Sequence, residues 1–157
     1  MKKFFVLFIV CQLVAGLAGC KGDVRNDSGL SLIQTTNPSP ANFDKHSGEE
    51  QNIIADIKRE VEKFDEIYDM AILKGEKDVL VAYKVKHMKR FRMKKIEKEL
   101  LDDLQKKFPA ERFTVSSDFK IFLEAVRLQK DYKESGLSSE EGERRLQQII
   151  KLTKELT

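Results

Sequence analysis

Three stretches of this sequence hold side chains whose types and spacing could do chemistry. Cys20 follows the small residues Ala18 and Gly19 and could act as a nucleophilic thiol. Ser116, Ser117 and Asp118 set two hydroxyls beside a carboxylate, as a hydrolase site would. The run Lys84 to Lys95, KVKHMKRFRMKK, gathers Lys84, Lys86, Lys89, Arg90, Arg92, Lys94 and Lys95, which together could meet an anion. Beyond these the stock is thin. Cys11 and Cys20 are the only cysteines and His46 and His87 the only histidines, too few for a zinc centre or a histidine-based relay. No histidine has a visible reason to approach Ser116–Asp118, and both side-chain types suit the start of a helix, where they accept from free backbone N–H groups. Tyr68, Tyr83 and Tyr132 are too scattered to form a binding platform. No catalytic residue, metal site or cofactor is expected, and His87 reads as a neutral member of the basic surface.

The thiol has a more specific setting. Residues 1–19, MKKFFVLFIVCQLVAGLAG, run from two lysines through an apolar stretch broken by Gln12 to small residues, the outline of a secretory signal peptide. The stretch is short for a spanning helix, which needs about 20 apolar residues. Leu17-Ala18-Gly19-Cys20 resembles the lipobox of bacterial lipoproteins. That resemblance implies a diacylglyceryl group on the Cys20 sulfur, cleavage before Cys20, and a membrane anchor at the new amino terminus. Two acyl chains suffice for stable attachment where one is marginal.

Cleavage there removes Lys2, Lys3 and Cys11, and leaves 27 basic against 26 acidic residues. Global charge then favours no particular partner, and a single cysteine excludes a disulfide framework and a thiolate metal site. Residues 20–46 read as the lipidated cysteine and a flexible tether. Gly22, Gly29, Pro38 and Pro40 interrupt a polar run with no apolar period, apart from an unassigned island at Leu30, Leu32 and Ile33. A coil of about 26 residues reaches roughly 25 to 30 Å. Residues 47–157 then form one domain, which leaves no cleft between two lobes for a transporter's solute-binding subunit.

The elements that must position these groups follow from periodicity. Ser47-Gly48-Glu49-Glu50 matches a capping box, and Ile53, Ile54, Ile57, Val61 and Phe64 give the helix behind it one apolar face. Ile67 to Leu73 and Asp78 to Lys86 read as a β-hairpin, with Val79, Val81, Tyr83 and Val85 on one face. A second helix spans about Phe91 to Phe108, with Met93, Ile96, Leu100, Leu101 and Leu104 inward and Pro109 stopping it. Arg112 to Ser116 is a short third strand. Ser117 or Asp118 caps a third helix carrying Ile121, Phe122, Ala125, Val126 and Leu128. Gly136 breaks the chain before a second capping box, Ser138 to Glu141, and a last helix with Leu146, Ile149, Ile150 and Leu156. The expected class is α+β: a three-stranded sheet, a hairpin plus one strand reached by a right-handed crossover, in the order α-β-β-α-β-α-α. The first two helices cover one face of the sheet, and the last helix forms a tail.

Residues from about Glu50 to Leu128 resemble the YhcN/YlaJ group of sporulation lipoproteins from spore-forming Gram-positive bacteria. The pieces that carry the likeness are Lys77-Asp78-Val79-Leu80-Val81-Ala82-Tyr83, Lys86 through Ile96, and Phe113-Thr114-Val115-Ser116-Ser117-Asp118 followed by Phe119. The likeness implies a noncatalytic protein anchored to the outer face of the cell membrane or to a forespore or spore membrane. It would be made during sporulation and act in spore assembly or germination. The competing class is an enzyme acting on cell wall or cortex, or its regulator, which the compartment permits and no residue constellation supports.

The basic run sits where the second helix begins, and cations there oppose the helix macrodipole at roughly 0.3 to 1 kcal/mol each when close. Acids follow only from Glu97 onward, too late to cap. The cluster therefore reads either as a plain solvated face or as a contact with an anion. The candidate partners are anionic lipid, wall polymer or a protein's acidic patch. Each basic residue near an anionic bilayer contributes about 1 kcal/mol. Nucleic acid is set aside by compartment.

Overall fold

In the computed structural model the described residues are 38–44 and 51–156. Cys20, the leader, the apolar island at Leu30 to Ile33, His46 and the first capping box at Ser47 to Glu50 lie outside them. Among the described residues the order is β1 (Ala41–Asn42), α1 (Gln51–Val61), β2 (Ile67–Lys74), β3 (Asp78–Val85), a 3-10 helix (His87–Arg92), α2 (Met93–Lys107), β4 (Arg112–Ser116), α3 (Phe119–Glu134) and α4 (Ser139–Leu156).

The class is α+β as expected, but the sheet has four strands rather than three, ordered β1-β2-β3-β4. β2 and β3 form the antiparallel hairpin. β4 lies parallel to β3, with Val79 opposite Phe113 and Val81 opposite Val115. The added strand, β1, pairs parallel to the end of β2, Ala41 opposite Leu73, and the Phe43 amide donates to the Lys74 carbonyl at 2.8 Å. The sheet thus extends into the stretch read as tether. Two residues of mixed polarity carry no strand period, so pairing with β2 alone makes them a strand.

A second correction concerns the faces. β3 is buried along nearly its whole length, the mark of a strand covered on both sides. On one face Ile72, Val79, Val81, Tyr83 and Val85 pack with Ile57 and Val61 of α1 and Ile96, Leu100 and Leu104 of α2. On the other, Ala71, Leu73, Leu80 and Ala82 pack with Ile121, Phe122, Ala125 and Leu128 of α3 and Leu146, Ile149 and Ile150 of α4, together with Ala41 and Phe43. At about 1.5 to 3 kcal/mol per fully buried large apolar side chain, neither face is optional. α4 is therefore a core element and no tail, and only its last apolar residue, Leu156, is half exposed.

Local rules set the helix ends. The Asp118 carboxylate accepts from the Lys120 and Ile121 amides at 2.8 and 3.1 Å, Gly136 takes the left-handed φ of 64° after α3, and Ser138 Oγ accepts from the Glu141 amide. The hairpin tip is pinned from α4. Glu143 accepts from the Glu76 amide, and Gln147 donates to Asp78. Asp78 also takes a two-pronged hydrogen bond from Arg112, at 2.9 and 2.6 Å.

Candidate functional site

The basic run leaves β3, turns through the 3-10 helix and enters α2, so its members meet three different environments. Lys84 still belongs to the strand. It stands opposite Asp69 in the hairpin, its ammonium 2.8 Å from the Asp69 carboxylate and 4.6 Å above the Phe122 ring. It is buried beneath α3, which removes it from the expected anion-contact set. The period that puts Tyr83 and Val85 on the α1/α2 face sends Lys84 to the opposite one.

From Lys86 to Lys95 no residue is buried, and only Lys89, Arg92 and Met93 are half-buried. Lys86 donates its amide to the Glu66 carbonyl at 2.9 Å and accepts from the Lys89 amide at 2.8 Å. Arg92 closes the turn by pairing with Glu66 at 3.2 Å, and Lys95 pairs along α2 with Glu99 at 3.5 Å. Among the described residues Lys86, Lys89, Arg90 and Lys94 have no ion-pair partner. Neither helix in this junction has a side-chain cap or an acid in its first turn. The Met93 amide is instead taken by the Arg90 carbonyl, so the 3-10 turn satisfies part of what a cap would.

Two apolar residues here are exposed, Met88 and Phe91, the latter expected only as the start of the second helix. Met88 is 77% exposed and Phe91 84% exposed, the highest values among the large apolar side chains described. Their three-residue spacing, out of phase with the buried Ile96, Leu100 and Leu104, was the available signal.

The serine–aspartate stretch has a structural role. Asp118 is the cap of α3, Ser116 Oγ accepts from the Asp118 amide at 3.2 Å, and Ser117 Oγ donates to Glu97 at 3.3 Å. Burial pushes the nearby Tyr83 phenol up, the Glu97 charge adds to this and the Ser117 hydroxyl works against it, so Tyr83 stays protonated and is no base. A groove of about 660 Å³ beside this turn is walled by Met93, Leu101, Phe119 and Leu156, with Lys94 and Glu97 on its sides. No group of three metal-ligating side chains occurs among the described residues.

Comparison with family models, curated proteins and solved structures finds no match for this chain.

Proposed function

We propose that this chain is a noncatalytic lipid-anchored envelope protein of the sporulation-lipoprotein kind, acting in spore assembly or germination. A diacylglyceryl group on Cys20 holds it to the membrane, and the basic junction faces an anionic surface. The observation that carries the anchor is Leu17-Ala18-Gly19-Cys20 closing an apolar run that follows two lysines. The YhcN/YlaJ likeness carries the sporulation assignment. The junction supports the surface contact through Lys86, Lys89, Arg90 and Lys94, cations left without acids where a structure built only for stability would place carboxylates. Asp118, the acid that a hydrolase at this turn would use, is occupied by two backbone amides.

Detergent phase partition tests the anchor. The wild-type chain is expected in the detergent phase at mature size, and Cys20→Ala as an uncut or soluble precursor. A Cys20→Ala chain that still enters the detergent phase at mature size overturns lipidation at that residue. Abundance in growing cells equal to that in the forespore removes the sporulation assignment and leaves the anchor standing.

A further inference from the structure

We infer that the 3-10 helix is a membrane-inserting wedge: Met88 and Phe91 enter the acyl boundary of an anionic bilayer while Lys86, Lys89, Arg90 and Lys94 hold its phosphates. The inference rests on the envelope reading above and names which atoms touch the lipid. A 3-10 helix has three residues per turn, so side chains at i and i+3 eclipse. Met88 and Phe91 therefore lie on one edge, and both are mostly in water. This is an unusual place for a phenylalanine in a chain that buries Phe43 and Phe122 completely or nearly so. The turn is also held at both ends. The Lys86 amide bonds to the Glu66 carbonyl, the Arg92 guanidinium to the Glu66 carboxylate, and Met93, directly behind it, packs against the α1/α2 core. The apolar pair is thus presented from a fixed base.

Charge selects the occupant. No acid occurs between Lys84 and Lys95, and the four cations without ion-pair partners lie beside or between the two apolar residues in the chain, none more than three positions from one of them. An exposed apolar pair with basic residues interleaved and adjacent matches the layering of an anionic interface, where hydrocarbon lies just below phosphate and long basic side chains reach up to it. A protein's acidic patch would satisfy the cations and leave Met88 and Phe91 without a hydrocarbon layer to enter.

The chain has no tryptophan, so Phe91→Trp supplies a single reporter. The full chain carrying it, reconstituted on phosphatidylglycerol vesicles, should shift its emission to the blue and be quenched by brominated acyl chains. On pure phosphatidylcholine it should do neither. Lys130→Trp, on the exposed side of α3, should stay unshifted on both. Adding Lys86→Gln and Arg90→Gln should weaken the response roughly fivefold per cation removed, the equivalent of about 1 kcal/mol each. An unshifted Phe91→Trp on phosphatidylglycerol overturns the wedge. An equal shift on phosphatidylcholine, or one indifferent to the two glutamines, overturns the role of the cations. Flotation with phosphatidylcholine vesicles reads the Cys20 anchor separately, so loss of anchoring and loss of insertion are distinguishable.

Discussion

Lys84 and Lys86 are two residues apart and live by different rules. Lys84 sits inside the hairpin, ion-paired with Asp69 and covered by Phe122, while Lys86 stands in solvent with no carboxylate partner among the described residues. A second buried lysine, Lys74, repeats the first arrangement at the other end of β2. Its ammonium lies 3.4 Å from Glu111 and donates to the Gly75 carbonyl at 3.0 Å. An interior cation is tolerable only with its counter-charge and hydrogen bonds in place. A surface cation costs little when alone and keeps its charge for whatever approaches. The basic run therefore has one interior member, Lys84, up to the end of β3, and beyond it Arg92 and Lys95 are ion-paired while Lys86, Lys89, Arg90 and Lys94 have no ion-pair partner among the described residues.

The sharpest way to break that contrast is Asp69→Ala, which strands the Lys84 charge in the core. We expect a loss of about 3 to 5 kcal/mol in urea unfolding. Pairing it with Lys84→Met should recover most of that loss. A cost under about 1 kcal/mol for the single change would show that Lys84 escapes to water and belongs with Lys86 after all.

Next in size is Gly142→Ala on α4. A Cβ there would lie 2.4 Å from the buried Phe43 ring, which is itself held edge-on against Tyr132 at 4.9 Å. Overpacking of this kind costs about 1 to 3 kcal/mol, and a lowered urea midpoint checks it. Unchanged stability would mean that Phe43 can leave the core. β1 would then belong with the tether, and a soluble fragment could start at Ser47.

Acid titration sharpens the contrast from a third side. Hydrogen bonds and charges from Lys107 and Lys63 hold the Glu60 carboxyl below its ordinary value of 4.5. Burial pushes Asp78 up, but the hydrogen bonds from Arg112 and Gln147 and the Arg112 charge outweigh it and leave Asp78 below its ordinary 3.8. The unfolded chain therefore binds these protons more tightly than the folded one. The stability they contribute is complete above about pH 5 and falls away as the pH drops below those ordinary values. Glu60→Gln should flatten the upper part of that fall in urea midpoints taken from pH 6 to 2. A fall centred above pH 5 would assign it to another group.

The smallest effect is expected at the free cations. Lys86→Gln with Arg90→Gln should move stability by no more than about 0.5 kcal/mol in either direction, with any gain coming from relief at the start of α2. A thermal melt lowered by several degrees would make the 3-10 turn a structural element.

Most of the fold was legible because it is encoded over short distances. Ile96, Leu100 and Leu104 recur at helical spacing, Phe113 and Val115 alternate within β4, whose bounds match the expected ones, and Asp118 and Ser138 cap the helices they precede. Each signal compares residues within a turn or two of one another, where backbone sterics and local hydrogen bonds decide the outcome. The candidate site was legible in part. The charge of the basic run, its place at the start of α2 and the poor capping there are sequence properties.

Tertiary structure decided the rest. β1 has no period of its own and exists because the edge of β2 offers unpaired carbonyls and amides to Ala41, Asn42 and Phe43. Leu80 and Ala82 were apolar on the page, but only the docking of α3 and α4 shows that their face is a second core. Whether a lysine in this run is buried or free depends on Asp69 and Phe122, fifteen and thirty-eight positions from Lys84 in the chain, and no local pattern joins residues so far apart. The same holds for Met88 and Phe91. Their apolar character is written in the sequence, but their exposure is set by the Glu66 contacts that hold the 3-10 turn outward, and those form only once the strands and α2 have packed.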